Sequence, residues 1–338
     1  MKRRVTYQMR VLVGTVLILA LFIVSGSAWG ASKTLRFQVN YLGTSYGGAS
    51  MKHFAKEVAK ESNGELEVKL FFAGEILKTK EAFSAMQKGL VDGLYSALLY
   101  YGGVVKEASW EWLPFTWASA QQVEDLYMNH GLLALMQEAL AQHDVRYLTA
   151  IPMGTLGFLT KFPVTKMSDF KGKKLRASGP QASTVKLLGG APVALSAAEQ
   201  YTSLQRGTID GTIYPWYTIG AYKFYEVIDY IVLPGVYSPC VIDLTMNMKS
   251  WNRLSKEMQE AVTRAALNTM RWTAKQNKEW DQEGLNVAKE KNVKITRLSD
   301  DEFAKFKKAT LPMWEKVAAR SPLSAKAVQT VQEYMRNQ

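Results

Sequence analysis

The stretch "MQKGLVDG" at 86–93 returns 118 positions later as "LQRGTIDG" at 204–211. In each copy a helix-like run ends at a glycine, Gly89 or Gly207, and an Asp-Gly pair then opens an aromatic-rich apolar run. Glycine suits the left-handed position that closes a helix, and a short apolar run after it suits a buried strand. A chain that builds the same helix-to-strand corner twice, this far apart, is expected to carry it once in each of two α/β lobes. Ligands gather at the carboxyl ends of strands in open α/β sheets. The runs that follow, "LYSALLYY" and "TIYPWYT", are therefore expected to face each other across a cleft.

The surrounding chain alternates strand and helix, which argues for parallel strands with helices on their faces. "TLRFQVNYL" and "LEVKLFF" read as strands, and Met51, Phe54, Ala55 and Val58 mark a helix between them. Ser119 and Gln122 form a capping-box signature for a helix running to about Leu140, and Ser196 with Glu199 forms a second. "DVRYLTAIPM" and "TLGFLTKFPV" are further strands, and "KGKKLRAS" is a short one carrying Arg176. From Ser255 to about Lys289 the pattern is helical, with Met258, Val262, Ala265, Thr269 and Trp272 as its buried stripe. At about 1.5 Å per residue that helix would run on the order of 50 Å, long enough to brace two lobes.

The N-terminus reads as an export signal. Lys2, Arg3, Arg4 and Arg10 precede an uncharged run from Val11 to Val24, then small residues, with cleavage expected before Ala31 or after Ala28. The run is shorter than the roughly 20 apolar residues of a membrane span. Removing four basic residues leaves 38 Lys and Arg against 30 Asp and Glu, a net charge of +8 in place of +12. The basic residues are scattered, which gives a nucleic-acid surface little support. Cys240 is the single cysteine, so no intrachain disulfide is possible. With only His53, His130 and His143, and no paired-ligand spacing, neither a metal site nor a cofactor site is expected.

Several short patterns compete for a chemical role. "GTSYG" places Ser45 in a G-x-S-x-G between a strand and a helix, the setting of a nucleophile elbow. No histidine follows His143, and a small-residue turn explains the pattern better. "STVK" at 183–186 lacks the companion motifs of its enzyme class and reads as helix surface. Arg176 differs, because it ends a buried strand where its guanidinium could bind a carboxylate through two parallel bonds or pair with a structural acid. Tyr95, Tyr214, Trp216 and Tyr217 follow the two corners and are candidates to line a pocket. Tyr41 and Phe158 complete the candidate set.

"ESNGELEVKLFFAGEILKTKEAFSAMQKGLVDG", "WLPFTW", "PVTKMSDFKGKKLRA", "LGGAPVALSAAEQYTSLQRGTIDG" and "KFYEVIDY" resemble, in order and spacing, the tripartite ATP-independent periplasmic (TRAP) solute-binding proteins. The resemblance runs from about Leu35 to Phe303. It implies a two-lobed periplasmic-binding-protein-like α/β fold, with mixed sheets, a hinge of crossing strands and a long bracing helix. The expected organisation is a leader over 1–30, a first lobe over 31–150, a second over 151–240, and a return to the first lobe over 241–338 with the long connecting helix and the C-terminal helices. It also implies a monomeric periplasmic receptor without catalysis or cofactor, which captures a small organic acid and delivers it to the small and large subunits of a membrane permease. In that family the arginine at the position of Arg176 holds the substrate carboxylate. Two departures matter: Tyr214 stands where many members have a ligand-contacting asparagine, and Leu156 where many have a second arginine. Fewer polar anchors and more aromatic surface imply a monocarboxylate with an apolar or aromatic body. A secreted serine hydrolase using Ser45, or a sensory module without transport, are the alternatives.

Overall fold

The computed structural model describes residues 32–337, so the leader and its cleavage site lie outside the described residues. The order begins β1 (Lys33–Val39), α1 (Tyr46–Glu61), β2 (Leu66–Phe71), α2 (Thr79–Gln87) and β3 (Gly93–Ser96). It continues with α3 (Ala120–Asn129), α4 (Leu132–Ala141), β4 (Val145–Pro152), β5 (Leu156–Thr160), β6 (Lys174–Arg176) and α5 (Pro180–Leu187). Next come β7 (Ala191–Val193), α6 (Gln200–Gln205), β8 (Gly211–Pro215), α7 (Thr218–Ala221), β9 (Tyr230–Tyr237) and β10 (Val241–Asn247). The last are α8 (Met248–Asn252), α9 (Lys256–Glu290), β11 (Lys294–Arg297), α10 (Asp300–Ala318) and α11 (Pro322–Arg336). Among these helices none is long and apolar enough to cross a membrane.

Two mixed sheets form the two lobes, β2-β1-β3-β10-β4 and β11-β9-β5-β8-β6-β7. The alternation in the sequence suggested parallel strands, and β1 with β3 and β6 with β8 are parallel. β10, however, runs antiparallel to β3 and β4, and β5 runs antiparallel to β8 and β9. The antiparallel members are the strands that pass between lobes. β4 leads into β5, and β9 into β10, and the two crossings bond each other: Met153 N–H to the Cys240 carbonyl at 2.8 Å, Cys240 N–H to the Gly154 carbonyl at 2.9 Å. The long helix α9 starts at the cap Ser255, whose hydroxyl accepts from Met258 N–H. It fixes the crossings through Asn277, which donates to the Pro152 carbonyl at 3.1 Å, and Asp281, which accepts from Thr155 N–H at 2.8 Å. Val262, Ala265 and Thr269 of its stripe are buried, while Met258 and Trp272 are only partly covered. Beyond it β11 pairs with β9, so the helix returns the chain to the second sheet.

The two echoed corners are the same construction. Gly89 and Gly207 close their helices with φ of +77° and +69°. Asp92 N–H donates to the Arg36 carbonyl at 2.7 Å while its carboxylate accepts from Arg36 N–H at 2.9 Å. In the second lobe Asp210 N–H donates to the Lys174 carbonyl at 2.7 Å, and its carboxylate accepts from Lys174 N–H at 2.7 Å. Each aspartate thus clamps the neighbouring parallel strand just before the paired stretch begins, which aligns the far ends of that strand pair. The glycine after it leaves room for the neighbour: a Cβ on Gly93 would lie 2.1 Å from the buried ring of Phe37. Gly93→Ala is therefore expected to cost about 1–3 kcal/mol by overpacking, read from urea unfolding. Gly103→Ala, with nothing within 4 Å, is the neutral control, and equal midpoints for the two variants would show that Phe37 yields freely.

Two sequence expectations are corrected. The single helix from Ser119 to about Leu140 is two helices, because Gly131 takes φ of +82° and restarts the chain. The apolar run "LYSALLYY" leaves its strand at Ser96 and becomes a short 3-10 turn over Leu98–Tyr101. That turn carries Tyr100 away from the sheet and into the cleft.

Candidate functional site

The carboxyl ends of the clamped pairs, β1 with β3 and β6 with β8, meet between the lobes and enclose a cavity of about 20 Å³. Arg176, the last residue of β6, is 1% exposed and lies in its wall. Its Nε donates to the Leu195 carbonyl at 3.0 Å and its Nη2 to the Tyr100 hydroxyl at 2.8 Å, across the cleft. The guanidinium carbon lies 5.3 Å from the ring of Tyr214 and 5.7 Å from that of Tyr100. No ion pair reaches Arg176 among the described residues. Arginine remains protonated in proteins, so the lobes enclose a cation with aromatic faces around it; the Glu199 carboxylate feels its charge but does not come within ion-pair distance.

Of the residues singled out by sequence, the structure brings Arg176, Tyr41, Tyr214 and Tyr217 to the cavity wall. Burial pushes the phenols of Tyr41, Tyr214 and Tyr217 well up, which keeps them neutral. Tyr95 is placed one layer behind, its ring edge-on to Tyr41 at 5.7 Å. Phe158 lies in the interior of the second lobe, 4.3 Å from Phe170. Trp216 also turns from the cavity; its backbone N–H continues the sheet to the Thr155 carbonyl at 3.1 Å and its indole packs over Gly157. Tyr100, Trp112 and Gln181 line the cavity without having been singled out. Tyr100 carried a signal in "LYSALLYY"; Gln181 and Trp112 carried none, since only the folding of separate segments brings them to Arg176.

The turn bearing Tyr100 is held from below. Leu98 N–H donates to Asp243 at 2.8 Å, and the Tyr101 hydroxyl donates to the Thr79 carbonyl at 2.7 Å while accepting from Asn40. Gly179 comes against this turn, since a Cβ there would lie 3.1 Å from the Leu99 carbonyl oxygen. On the hinge side Tyr46 of α1 stacks on Trp280 of α9 at 4.5 Å and leans on Tyr217 at 4.7 Å.

No catalytic arrangement accompanies these groups. Ser45 is the N-cap of α1: its hydroxyl donates to the Leu42 carbonyl at 2.6 Å and accepts from Gly48 N–H. The three histidines are engaged elsewhere, His53 with Thr269, His130 with Asp125 and His143 with Glu107. Among the described residues no cluster of His, Cys, Asp or Glu could hold a metal ion.

Two lobes on crossing strands, shut around an unpaired cation, define a ligand-capturing receptor rather than an enzyme. Residues 39–321 match the DctP family, bacterial extracellular solute-binding protein family 7, and the chain belongs to that family. It is 31% identical over 227 residues to a monocarboxylate 2-oxoacid-binding periplasmic protein of Nostoc sp. (strain PCC 7120), covering 65% of this chain and 60% of that one. Among solved structures, a TRAP periplasmic solute-binding protein from Rhodobacter sphaeroides in an apo open form is 28% identical with a TM-score of 0.69, covering 90% and 98% of the two chains. One from Desulfovibrio salexigens with bound orotic acid is 23% identical and superposes better, with a TM-score of 0.79 and coverage of 90% and 96%. In this chain the two lobes leave only the small cavity described above between them.

Proposed function

We propose that this protein is the exported receptor of a TRAP transporter, and that Arg176 holds the carboxylate of a small organic monocarboxylate. The single observation that carries the reading is the buried guanidinium with no ion pair. Burying an isolated charge is strongly unfavourable unless a counter-charge accompanies it, and a carboxylate fits the guanidinium fork through paired bonds. Tyr41, Tyr214 and Tyr217 supply the surrounding aromatic wall. The names of the relatives favour the same chemistry, since the Nostoc protein is called a monocarboxylate 2-oxoacid binder and the Desulfovibrio protein holds orotic acid. Ligand enters between open lobes, neutralises Arg176, and the closed state becomes favourable by its greater affinity for the ligand. The closed, monomeric receptor then delivers its cargo to a permease of small and large membrane subunits, after export by the cleavable leader.

A thermal-shift screen of the mature protein tests this. Organic monocarboxylates are expected to raise the melting temperature by several degrees, whereas their methyl esters and amides do not. Equal shifts from acids and their neutral esters would sink the assignment.

A further inference from the structure

Arg176 accounts for only one end of a ligand. Gln181, on the first turn of α5, is fully buried in the same cavity wall, and neither its amide oxygen nor its amide nitrogen has a hydrogen-bond partner. Trp112, reaching the cavity from the other lobe, is 3% exposed, and its indole N–H is also without a partner. The neighbours of Gln181 are committed elsewhere: Thr184 bonds within α5 and to Tyr237, and Cys240 donates to the Met153 carbonyl.

Buried polar side chains nearly always find partners, and one left without a partner costs free energy. A primary amide offers a donor and an acceptor side by side, and an indole offers a donor only. A neutral group with its own adjacent donor and acceptor satisfies Gln181, and a carbonyl oxygen in that group can also accept from Trp112. Cyclic amides, carboxamides and hydroxyl groups next to a carbonyl have this pattern; a hydrocarbon body does not.

We propose that Gln181, assisted by Trp112, is a specificity-determining residue, and that the ligand is a monocarboxylate bearing a second, neutral donor–acceptor group. The proposal rests on the carboxylate reading of Arg176 and replaces the plain apolar acid with a narrower class. Arg176 and Gln181 sit on one lobe and Trp112 on the other, so such a ligand engages polar groups of both lobes only when they close.

The test titrates paired acids of matched skeleton by calorimetry: pyroglutamate against cyclopentanecarboxylate, and 4-carbamoylbutanoate against 5-methylhexanoate. In the parent protein the polar member of at least one pair is expected to bind about tenfold to a hundredfold tighter than its hydrocarbon twin. Gln181→Leu, with Gln181→Met as a second apolar replacement, is expected to bring the pair within about threefold by weakening the polar member alone. Trp112→Phe is expected to weaken the polar member while sparing the hydrocarbon acid. Tighter or equal binding of the hydrocarbon acids by the parent, failure of every polar member to bind, or an undiminished preference in both Gln181 variants overturns the proposal. Failure of the underlying reading looks different: methyl esters would bind as well as the acids, while the preference set by Gln181 would remain.

Discussion

Arg176→Met is expected to abolish tight carboxylate binding and, at the same time, to close the empty receptor. Truncating one partner of a buried charge pair costs about 2–5 kcal/mol, a loss of roughly thirtyfold to several-thousandfold in affinity. The second effect follows from the geometry. In the closed state the guanidinium is 1% exposed and has only a carbonyl, a phenol and two ring faces around it. Ring faces return about 1–2 kcal/mol, less than the desolvation of a buried cation. Without an anion the parent protein therefore favours open lobes, in which Arg176 is hydrated. Methionine fills similar space with no charge and removes that penalty. Small-angle scattering should find the ligand-free variant as compact as the liganded parent, with calorimetry showing no response to acids. A variant that stays open, or that binds carboxylates as the parent does, would refute the account.

The second large effect concerns stability and has the opposite sign to most acidic groups. Glu111 and Asp243 are buried beneath the site, with Tyr147 at 3.2 Å from the first and 3.0 Å from the second, and Tyr127 donating to Glu111. Burial, and then the neighbouring Asp243 charge, push Glu111 well above the usual carboxylate range. Burial pushes Asp243 up to about 6 against the pull of its hydrogen bonds. A carboxyl whose pKa rises on folding holds its proton more tightly in the folded state. Its stabilisation is then complete below the unfolded value of about 4 and lost as pH climbs through the folded value. Stability is expected to fall as pH rises from about 4 through the folded value of Asp243 near 6, with Glu111 adding to the fall. Asp243→Asn keeps an oxygen for Leu98 N–H and provides a donor for Glu111. It should flatten the profile, so that urea midpoints at pH 5 and pH 8 differ less than in the parent. Parallel profiles would show that the pair shares no proton.

Local chemistry made much of this protein readable from its sequence. Gly89 and Gly207 end helices because only their backbone tolerates the turn, and Ser255 caps the long helix because its hydroxyl meets a free N–H. Arg176 stood out as a strand-end guanidinium among solvated lysines. What was hidden depends on contacts between distant segments. Gly131 is a local exception, a glycine whose positive φ divides a helix that capping and periodicity made continuous, whereas the turn at Leu98–Tyr101 forms where Asp243, 145 residues away, captures a backbone N–H. Trp216 and Tyr217 were indistinguishable among the aromatics, although one packs over Gly157 and the other lines the cavity between the lobes. Gln181 carried no signal in the sequence, and only the packed lobes deprive its amide of water.

The stack of Tyr46 on Trp280 gives the molecule an intrinsic optical gauge. Its third member, Tyr217, comes from the wall of the second lobe, so parting the lobes admits water beside the indole. Indole emission shifts to longer wavelength in a wetter setting, and ligand-driven closure should move it back toward the blue. The chain has nine tryptophans, so Trp280→Phe, by subtracting that component, isolates the signal. Opening and closing could then be timed in stopped flow without attaching any label.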